Sequence, residues 1–244
     1  MSEKPAAYGE TGSRRTYEWP RPALTVDVAV FSVIGTLNDL MLQVLLVERA
    51  QEPFKGSWAL PGGFVHENED LGAAAARELL EETGVRESYL DQVAAIGTPG
   101  RDPRGHTVTV LHVALIPADK HDLVSSGDAR MARWFPAAKL PPLAFDHAKL
   151  LEAARDHLRR RIAATPVCFE LLPAEFTLSE LQALCETLLG RALDRRNFRR
   201  KVQDAGFLAK VKGQREGKHR PAQLFKLLPK EFARYVAQER ALPW

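Results

Sequence analysis

The stretch GFVHENEDLGAAAARELLEETGV, residues 63–85, decides the fold. After its first glycine, five residues lead to Glu69, seven more lead to Arg77-Glu78-Leu79, and the pair Glu81-Glu82 follows one residue later. Alanine and glutamate favour helix, and Gly84 is a typical helix stop. The pattern therefore predicts a helix from about Asp70 to Glu82 that is entered through a glycine-rich turn.

The glutamates of this helix are spaced to share one face. Glu78 and Glu82 are four residues apart, and Glu81 is three residues from Glu78. Three carboxylates so close together repel one another unless a cation compensates them. Oxygen-rich sites of this kind suit Mg²⁺ or Mn²⁺. We therefore expect a metal site formed by Glu78, Glu81, Glu82 and the backbone of Gly63, with Glu81 and Glu82 as the catalytic candidates.

Neighbouring residues support the same site. Arg77 can form an ion pair with Glu81 one turn further along the helix. Gly62 and Gly63 allow a tight turn that brings a carbonyl group close to the metal. Leu79 is expected to pack inward. The alternative is a solvated, glutamate-rich surface helix. It is disfavoured because every position of the pattern at residues 63–85 is filled.

Residues 63–85 resemble the Nudix box, and the strand and helix order of residues 22–160 is similar to that of the Nudix family. The resemblance implies an α/β (α+β) fold, a mixed-sheet sandwich between helices. It also implies a nucleoside diphosphate linked to another group as ligand, bound through a metal that polarises the diphosphate and acidifies an attacking water.

The flanking sequence is consistent with that fold. Apolar, β-branched residues predict strands at Ala23–Ile34 and Met41–Glu48, which together form a hairpin. Further strands are predicted at residues 92–97, 107–116 and 132–136, and a helix at residues 145–163. Thr165–Pro166 is the predicted boundary between a Nudix domain of residues 21–164 and a second domain of residues 165–244. Residues 1–20 are predicted to form a loose tail.

The loop at residues 98–105, TPGRDPRG, bears on the ligand. A proline at this distance beyond the box resembles the branch of Nudix proteins that handle ADP-ribose. Arg101 and Arg104 can pair with phosphates, and Asp102 can accept hydrogen bonds from ribose hydroxyls. Arg49, Glu69 and Arg77 complete the predicted ligand-binding set. A charged surface loop is the alternative interpretation.

The charge is divided along the chain. Residues 1–150 carry 15 Lys and Arg against 20 Asp and Glu, whereas residues 151–244 carry 19 against 11. The net charges of these halves are −5 and +8, and they sum to the +3 of the whole chain. This division predicts two domains with different partners, the basic one facing phosphate groups or solvent.

The basic half has the element order of a winged helix-turn-helix. Thr177 and Glu180 form a capping-box pattern that opens a helix over residues 178–188, which Gly190 ends. Asp194 is placed to cap a second helix over residues 195–205. Two short strands at residues 207–212 and 223–228 then flank a basic loop.

The second helix predicts a surface for double-stranded DNA. Phe198 and Val202 are four residues apart and should face the core. Basic and amide side chains occupy the rest of the helix, where they can neutralise phosphates and read base edges. The loop adds further cations, as wings that follow a DNA backbone do. The predicted DNA-binding residues are Arg195, Arg196, Asn197, Arg199, Arg200, Lys201, Arg215, Lys218, His219 and Arg220.

Both halves together resemble the Nudix-related transcriptional regulators, the NrtR family. The matching stretches are RPALTVD at residues 21–27, FTLSEL at 176–181, LDRRNFRRK at 193–201 and HRPA at 219–222. The resemblance implies a dimeric repressor of NAD-biosynthesis genes that leaves a palindromic operator when ADP-ribose occupies the Nudix domain. Relatives in this family often carry a decayed box, so the complete box here leaves ligand hydrolysis open. An ADP-ribose pyrophosphatase with an accessory domain is the alternative, and an RNA-binding Nudix enzyme is disfavoured by the lack of an aromatic stacking stripe.

The cysteines, the histidines and the chain's lack of a visible targeting segment do not point to a specific function. No secretory signal or membrane span is visible, and Cys168 and Cys185 read as reduced, partly buried thiols suited to a cytoplasmic protein. His66 and His112 read as a loop residue and a strand residue. The remaining histidines form no metal spacing, and none is assigned a role.

Overall fold

The computed structural model describes Trp19 and residues 21–35, 40–85, 89–117, 129–215, 222–238 and 243–244. The predicted tail, residues 1–20, lies outside this range apart from the exposed Trp19. The first sheet consists of β1 Ala23–Ile34, β2 Met41–Arg49, β3 Trp58–Ala59, β4 Gly62–Phe64, β5 Tyr89–Ile96, β6 Thr107–Leu115 and β7 Ala129–Pro136.

This sheet is mixed and has β1 near its centre. Its strand order is β3-β2-β1-β6-β5, with β4 paired to β1 and β7 paired to β2. The predicted β1–β2 hairpin is confirmed by their antiparallel pairing, whereas β1 runs parallel to β6. A parallel pair requires a long crossover connection, and the box helix α1, Leu71–Thr83, lies in that crossover.

A helix covers each face of the sheet. Alternate residues of β1 point to opposite faces. Val26, Val28 and Val30 therefore pack with α1, including Leu79, which is buried as predicted. Ala29, Phe31 and Val33 pack on the other side with α2, His147–Ala164. Burial on both faces explains why β1 is almost continuously apolar.

The second part of the chain is a winged helix domain. Its elements are a 3₁₀ helix Pro166–Leu171, β8 Phe176–Thr177, α3 Leu178–Leu189, α4 Arg195–Asp204, β9 Leu208–Arg215, β10 Ala222–Leu227 and α5 Pro229–Ala237. The second sheet has the order β8-β10-β9. The predicted helix-turn-helix and hairpin are confirmed, while β8 and α5 were not expected from the sequence.

The predicted helix caps are present in this domain. Thr177 and Glu180 form both hydrogen bonds of a capping box, and Gly190 closes α3 in the left-handed conformation. The Asp194 carboxylate accepts a hydrogen bond from the Asn197 amide at the start of α4. These local interactions place α4 immediately after a tight turn, as a recognition helix requires.

The two parts share a continuous core. Leu158 and Ile162 of α2 belong to the same buried cluster as Leu181 and Leu188 of α3. The carbonyl of Ile162 also accepts a hydrogen bond from Nε1 of Trp244 at 2.8 Å. α2 therefore contacts both the first sheet and the winged helix domain.

Three further observations bear on the sequence predictions. Cys168 and Cys185 are both free and buried. Among the helices of the described residues, none is long and apolar enough to cross a membrane. β9 extends through Arg215, so the predicted loop starting at Gly213 is shorter than expected.

Candidate functional site

Gly62 and Gly63 lie in β4, a short strand between β1 and the box helix, and not in the tight turn expected from the sequence. Gly62 and Gly63 pair with Asp27 and Val26 of β1. A β-carbon on Gly62 would overlap the carbonyl oxygen of Val26, and one on Gly63 would overlap the carboxylate of Glu78. At Gly62 the clash is with backbone, so only glycine fits, whereas at Gly63 a larger residue would require the Glu78 side chain to move.

Glu82 is hydrogen-bonded to the backbone of β4. The Gly62 amide donates a hydrogen bond to Glu82 Oε2 at 2.9 Å. Burial raises the pKa of Glu82 to about 8, with the negative charges of Glu78 and Asp27 adding to the effect and the Gly62 hydrogen bond opposing it. Burial also raises the pKa of Glu78. Acidic groups are thus crowded together at the end of α1.

Arg77 is the centre of the charged network on the box helix. Its Nε and Nη2 donate to the two oxygens of Glu69 at 2.7 and 2.9 Å. Its Nη1 donates to Glu78 Oε1 at 2.7 Å and to Glu81 Oε2 at 3.2 Å, which confirms the predicted pair with Glu81. The hydrogen bonds from Arg77 lower the pKa of Glu69 to about 2.

The predicted metal ligands are only partly brought together. Within the part of the chain that the structure describes, no group of three or more His, Cys, Asp or Glu side chains is arranged to hold a metal ion. Glu81 is turned towards Arg77 and is 55% exposed. The Glu78 and Glu82 carboxylates fit a hard divalent cation, because it would stabilise the charged form of Glu82, whose pKa is raised chiefly by burial and further by the charges of Glu78 and Asp27. The full set with Glu81 and Gly63 stays a prediction.

A cavity of about 160 Å³ opens beside this site. Among the predicted residues it is lined by Gly63, Glu82, Arg49, Arg101, Asp102 and Arg104. The described lining does not include Glu69, Arg77, Glu78 or Glu81. Of the predicted ligand-binding residues, Arg49, Arg101, Asp102 and Arg104 therefore line the cavity. Glu69 and Arg77 belong instead to the charged network on the box helix.

Arg101 is paired inside the protein. Its Nε and Nη2 donate to the two oxygens of Asp146 at 3.1 and 2.9 Å, and Nη2 lies 3.5 Å from Asp27 Oδ2. The Arg101 side chain is only 5% exposed. A buried guanidinium needs such carboxylate partners, because an unpaired buried charge is costly.

Arg104 and Asp102 pair with each other within the same loop. Arg104 donates to both oxygens of Asp102, the shortest distance being 2.7 Å. Burial acts to raise the pKa of Asp102, but the hydrogen bonds from Arg104 outweigh it and the pKa is lowered. Asp102 is therefore an ionised acceptor that is already paired with Arg104, and its role towards ribose hydroxyls stays a prediction.

An aromatic wall that the sequence did not reveal completes the cavity. The ring of Phe145 lies 4.7 Å from the guanidinium carbon of Arg49, 5.6 Å from that of Arg104, and 4.8 Å from the ring of Phe54. Phe145 has a positive φ of 52°. Such backbone strain in a bulky residue is common at functional sites.

His147 was also missed as a part of this wall. Its Nδ1 accepts a hydrogen bond from the Leu60 amide at 2.9 Å, and its ring stacks with Phe145. Burial lowers the pKa of His147, so the imidazole is neutral and its tautomer is set by the Leu60 amide. The sequence could have indicated this role only through the position of His147 at the start of α2, three residues after Ala144, which is buried.

The residues of α4 divide into a buried apolar pair and a largely exposed set of predicted DNA-binding residues. Phe198 and Val202 are buried as predicted. Five of the six predicted contact residues of the helix are exposed: Arg195, Arg196, Asn197, Arg200 and Lys201. The sixth, Arg199, is half-buried and donates to the Ser179 hydroxyl of α3 at 2.8 Å. Burial, together with the charge of Arg195, lowers the pKa of Arg199.

The wing is described only in part. Arg215 is the last residue of β9. The other predicted wing residues, Lys218, His219 and Arg220, lie outside the described residues. Their assignment to the DNA interface stays a prediction.

Comparison with known proteins agrees with this arrangement. Residues 24–154 match the NUDIX domain family, and residues 168–232 match the NrtR DNA-binding winged helix domain. The chain is 40% identical over 219 residues to the ADPR responsive transcriptional repressor NtrR of Acinetobacter baylyi, covering 88% of this chain and 86% of that protein.

Solved structures show the same two-domain architecture. NrtR of Shewanella oneidensis in complex with a 27mer DNA is 38% identical, has a TM-score of 0.74, and is matched over 86% of this chain and 95% of that chain. The NUDIX domain of the same protein in complex with ADP ribose is also 38% identical, with a TM-score of 0.52 over 57% of this chain and 90% of that chain. Our chain therefore belongs to the Nudix-related transcriptional regulators, the NrtR family, in which a Nudix domain is joined to a winged helix DNA-binding domain.

Proposed function

We propose that this chain is an ADP-ribose-responsive transcriptional repressor. Its exposed, arginine-rich α4 is the observation that carries the proposal, because it is capped and packed as a recognition helix on a winged helix domain. The relative from Acinetobacter baylyi carries this function in its name, and the Shewanella oneidensis relatives are solved with DNA and with ADP ribose. ADP-ribose in the Nudix cavity is the signal that releases the DNA.

The repressor acts on genes of NAD biosynthesis as a homodimer on a palindromic operator. A two-fold dimer places two α4 helices on one face of the duplex, about one helical turn apart. The charge of +8 over residues 151–244 supports this role, because contacts to phosphates supply most of the affinity for any duplex. The action takes place in the cytoplasm.

The test is a gel-shift assay with the DNA upstream of the chain's own gene, with and without ADP-ribose. We expect binding without the ligand and release with it. Arg195→Ala combined with Arg196→Ala should abolish binding while ADP-ribose binding is retained. Arg234→Ala is the matched control, because Arg234 is 72% exposed on α5 and pairs with Glu231 of the same helix.

Two results would contradict the proposal. One is the absence of duplex binding at low salt, where contacts to phosphates are strongest. The other is a preference for single-stranded RNA over duplex DNA, which would favour an RNA-binding Nudix protein.

A second candidate function is ADP-ribose pyrophosphatase activity, and the complete Nudix box favours it. Glu78 and Glu82 would hold Mg²⁺ or Mn²⁺, with Glu81 joining them after leaving Arg77. The bound cation would polarise the diphosphate and acidify a water molecule. Such turnover can coexist with repression, since hydrolysis would reset the sensor.

The activity is tested by AMP release from ADP-ribose in the presence of Mg²⁺. Glu82→Gln should abolish turnover, whereas Glu152→Gln, an exposed substitution on α2, should not. Turnover that depends on Glu82 without any DNA binding would make the enzyme the main function. No AMP release from the wild type would leave the box as a sensor alone.

A further inference from the structure

Asp146 stands at the N-cap of α2 but does not cap it. Its side chain accepts no hydrogen bond from the first turn of the helix. By contrast, Asp70, Thr177 and Asp194 all cap their helices with their side chains. An aspartate at this position ordinarily accepts from the amides of the first turn. The Asp146 carboxylate is therefore engaged elsewhere.

Its partner is Arg101, which lines the Nudix cavity. Both oxygens of Asp146 accept from the Arg101 guanidinium, at 3.1 and 2.9 Å, in a bidentate pair. The two side chains are 5% and 15% exposed, so solvent screens the pair little. The first turn of α2 is thus tied to a cation that faces the ligand cavity.

The other end of α2 reaches the winged helix domain. Leu158 and Ile162 share a buried cluster with Leu181 and Leu188 of α3. The Ile162 carbonyl accepts a hydrogen bond from the C-terminal Trp244. A change at the first turn of α2 can therefore reach the domain that carries α4 through one continuous, packed helix.

We propose that Arg101 and Asp146 are the positioning residues that couple ligand binding to DNA release. This inference rests on the proposed function. The diphosphate of ADP-ribose competes with Asp146 for the Arg101 guanidinium, which pairs with phosphate as well as with carboxylate. The freed Asp146 carboxylate then turns to the first-turn amides of α2, so that the helix start has two discrete arrangements.

The two arrangements give the ligand the differential energy that coupling requires. Without ligand, the bidentate pair fixes the start of α2 against the loop at residues 98–105. With ligand, the phosphate replaces the carboxylate and the helix becomes capped by its own aspartate. Arg104 does not offer this link, because its carboxylate partner Asp102 lies in the same loop and not on a helix.

The test measures the coupling ratio, which is the Kd of ADP-ribose with operator DNA bound divided by its Kd without DNA. Asp146→Asn keeps the capacity to cap α2 and removes the negative charge of the bidentate pair with Arg101, while Asp27, 3.5 Å from Arg101 Nη2, is unchanged. We expect operator affinity without ligand to fall, ADP-ribose affinity to rise, and the coupling ratio to shrink by about fivefold or more. Asp156→Asn is the control, because Asp156 on the same helix forms an exposed pair with Arg159.

A coupling ratio in Asp146→Asn equal to that of the wild type would overturn the inference. If that variant does not fold, Arg101→Lys replaces it, since lysine keeps the charge but cannot form the bidentate pair. A wild-type ratio in Arg101→Lys would overturn the inference equally. If the wild type itself is not released from DNA by ADP-ribose, the proposed function fails first. Release from the wild type with an unchanged ratio in the variant contradicts only the coupling role.

Discussion

The carboxylate of Glu78 occupies the space that a β-carbon on Gly63 would need. Gly63→Ala should therefore displace Glu78 from the end of the box helix. We expect Mn²⁺ affinity, measured by electron paramagnetic resonance, to fall by about tenfold, as it does when the groups that orient metal ligands are disturbed.

Gly72→Ala is the matched control for that substitution. Its β-carbon meets only Asp70 Oδ1, at 3.2 Å, and alanine favours helix over glycine. An unchanged Mn²⁺ affinity in Gly63→Ala would show that Glu78 is not a metal ligand.

Glu69→Gln should destabilise the protein by about 1 to 2 kcal/mol at neutral pH, because it removes a bidentate partner of Arg77 in a pair that water partly screens. The pKa of Glu69 is lowered from 4.5 to about 2 in the folded protein. The stabilisation is therefore complete above pH 4.5 and is lost as the pH falls towards 2.

The measurement compares urea unfolding of the wild type and Glu69→Gln between pH 7 and pH 3. The difference in unfolding free energy should shrink across the acidic part of this range. Glu152→Gln, at an exposed position, should show no such trend. A difference that stayed constant with pH would mean that the ion pair with Arg77 is not its source.

Local patterns in the sequence predicted most of the fold. β1 has the predicted limits because a strand buried on both faces is almost continuously apolar. The caps of α3 and α4 form because Thr177 and Asp194 bond to neighbouring amides. α2 begins two residues later than predicted, since Phe145 adopts a positive φ and Asp146 stands at the cap position.

The cavity was predicted less completely, because its contacts join distant residues. The loop at residues 98–105 reads as a set of free cations, and nothing in its spacing reveals that Arg101 pairs with Asp146, 45 residues away. The place of Phe145 in the cavity depends in the same way on its packing against Phe54, which is distant in the sequence. The composition of the loop indicated an anion-binding site, whereas the tertiary structure determines which carboxylates its arginines pair with.

Phe145→Leu should weaken ADP-ribose binding by about 5- to 100-fold, the range expected when an aromatic platform for a nucleobase is lost. The ring of Phe145 lines the cavity, and the Arg49 guanidinium lies over it at 4.7 Å. Isothermal titration calorimetry measures the change. Ribose 5-phosphate, which has no base, is the control ligand, and its affinity should stay the same. An equal loss for both ligands would indicate a general disturbance of the cavity.

Arg199 differs from its neighbours on α4, because its guanidinium bonds to Ser179 and its Nε is buried with no hydrogen-bond partner among the described residues. We expect Arg199 to orient α4 against α3 and Arg196 to contact a DNA phosphate. Ser179→Ala should then lower operator affinity several-fold without changing its dependence on salt, since no phosphate contact is lost. Arg196→Ala should lower the affinity and also reduce the slope of log K against log salt by about 1.

Binding titrations at several salt concentrations separate these two roles. Arg199→Ala should resemble Ser179→Ala, with weaker binding and an unchanged slope, because both substitutions remove the same contact between α3 and α4. If Arg199→Ala reduced the slope by about 1 while Ser179→Ala had no effect, Arg199 would leave Ser179 in the complex and bind phosphate directly. The half-buried position of the Arg199 side chain argues against that movement, since leaving Ser179 would break the contact between α3 and α4.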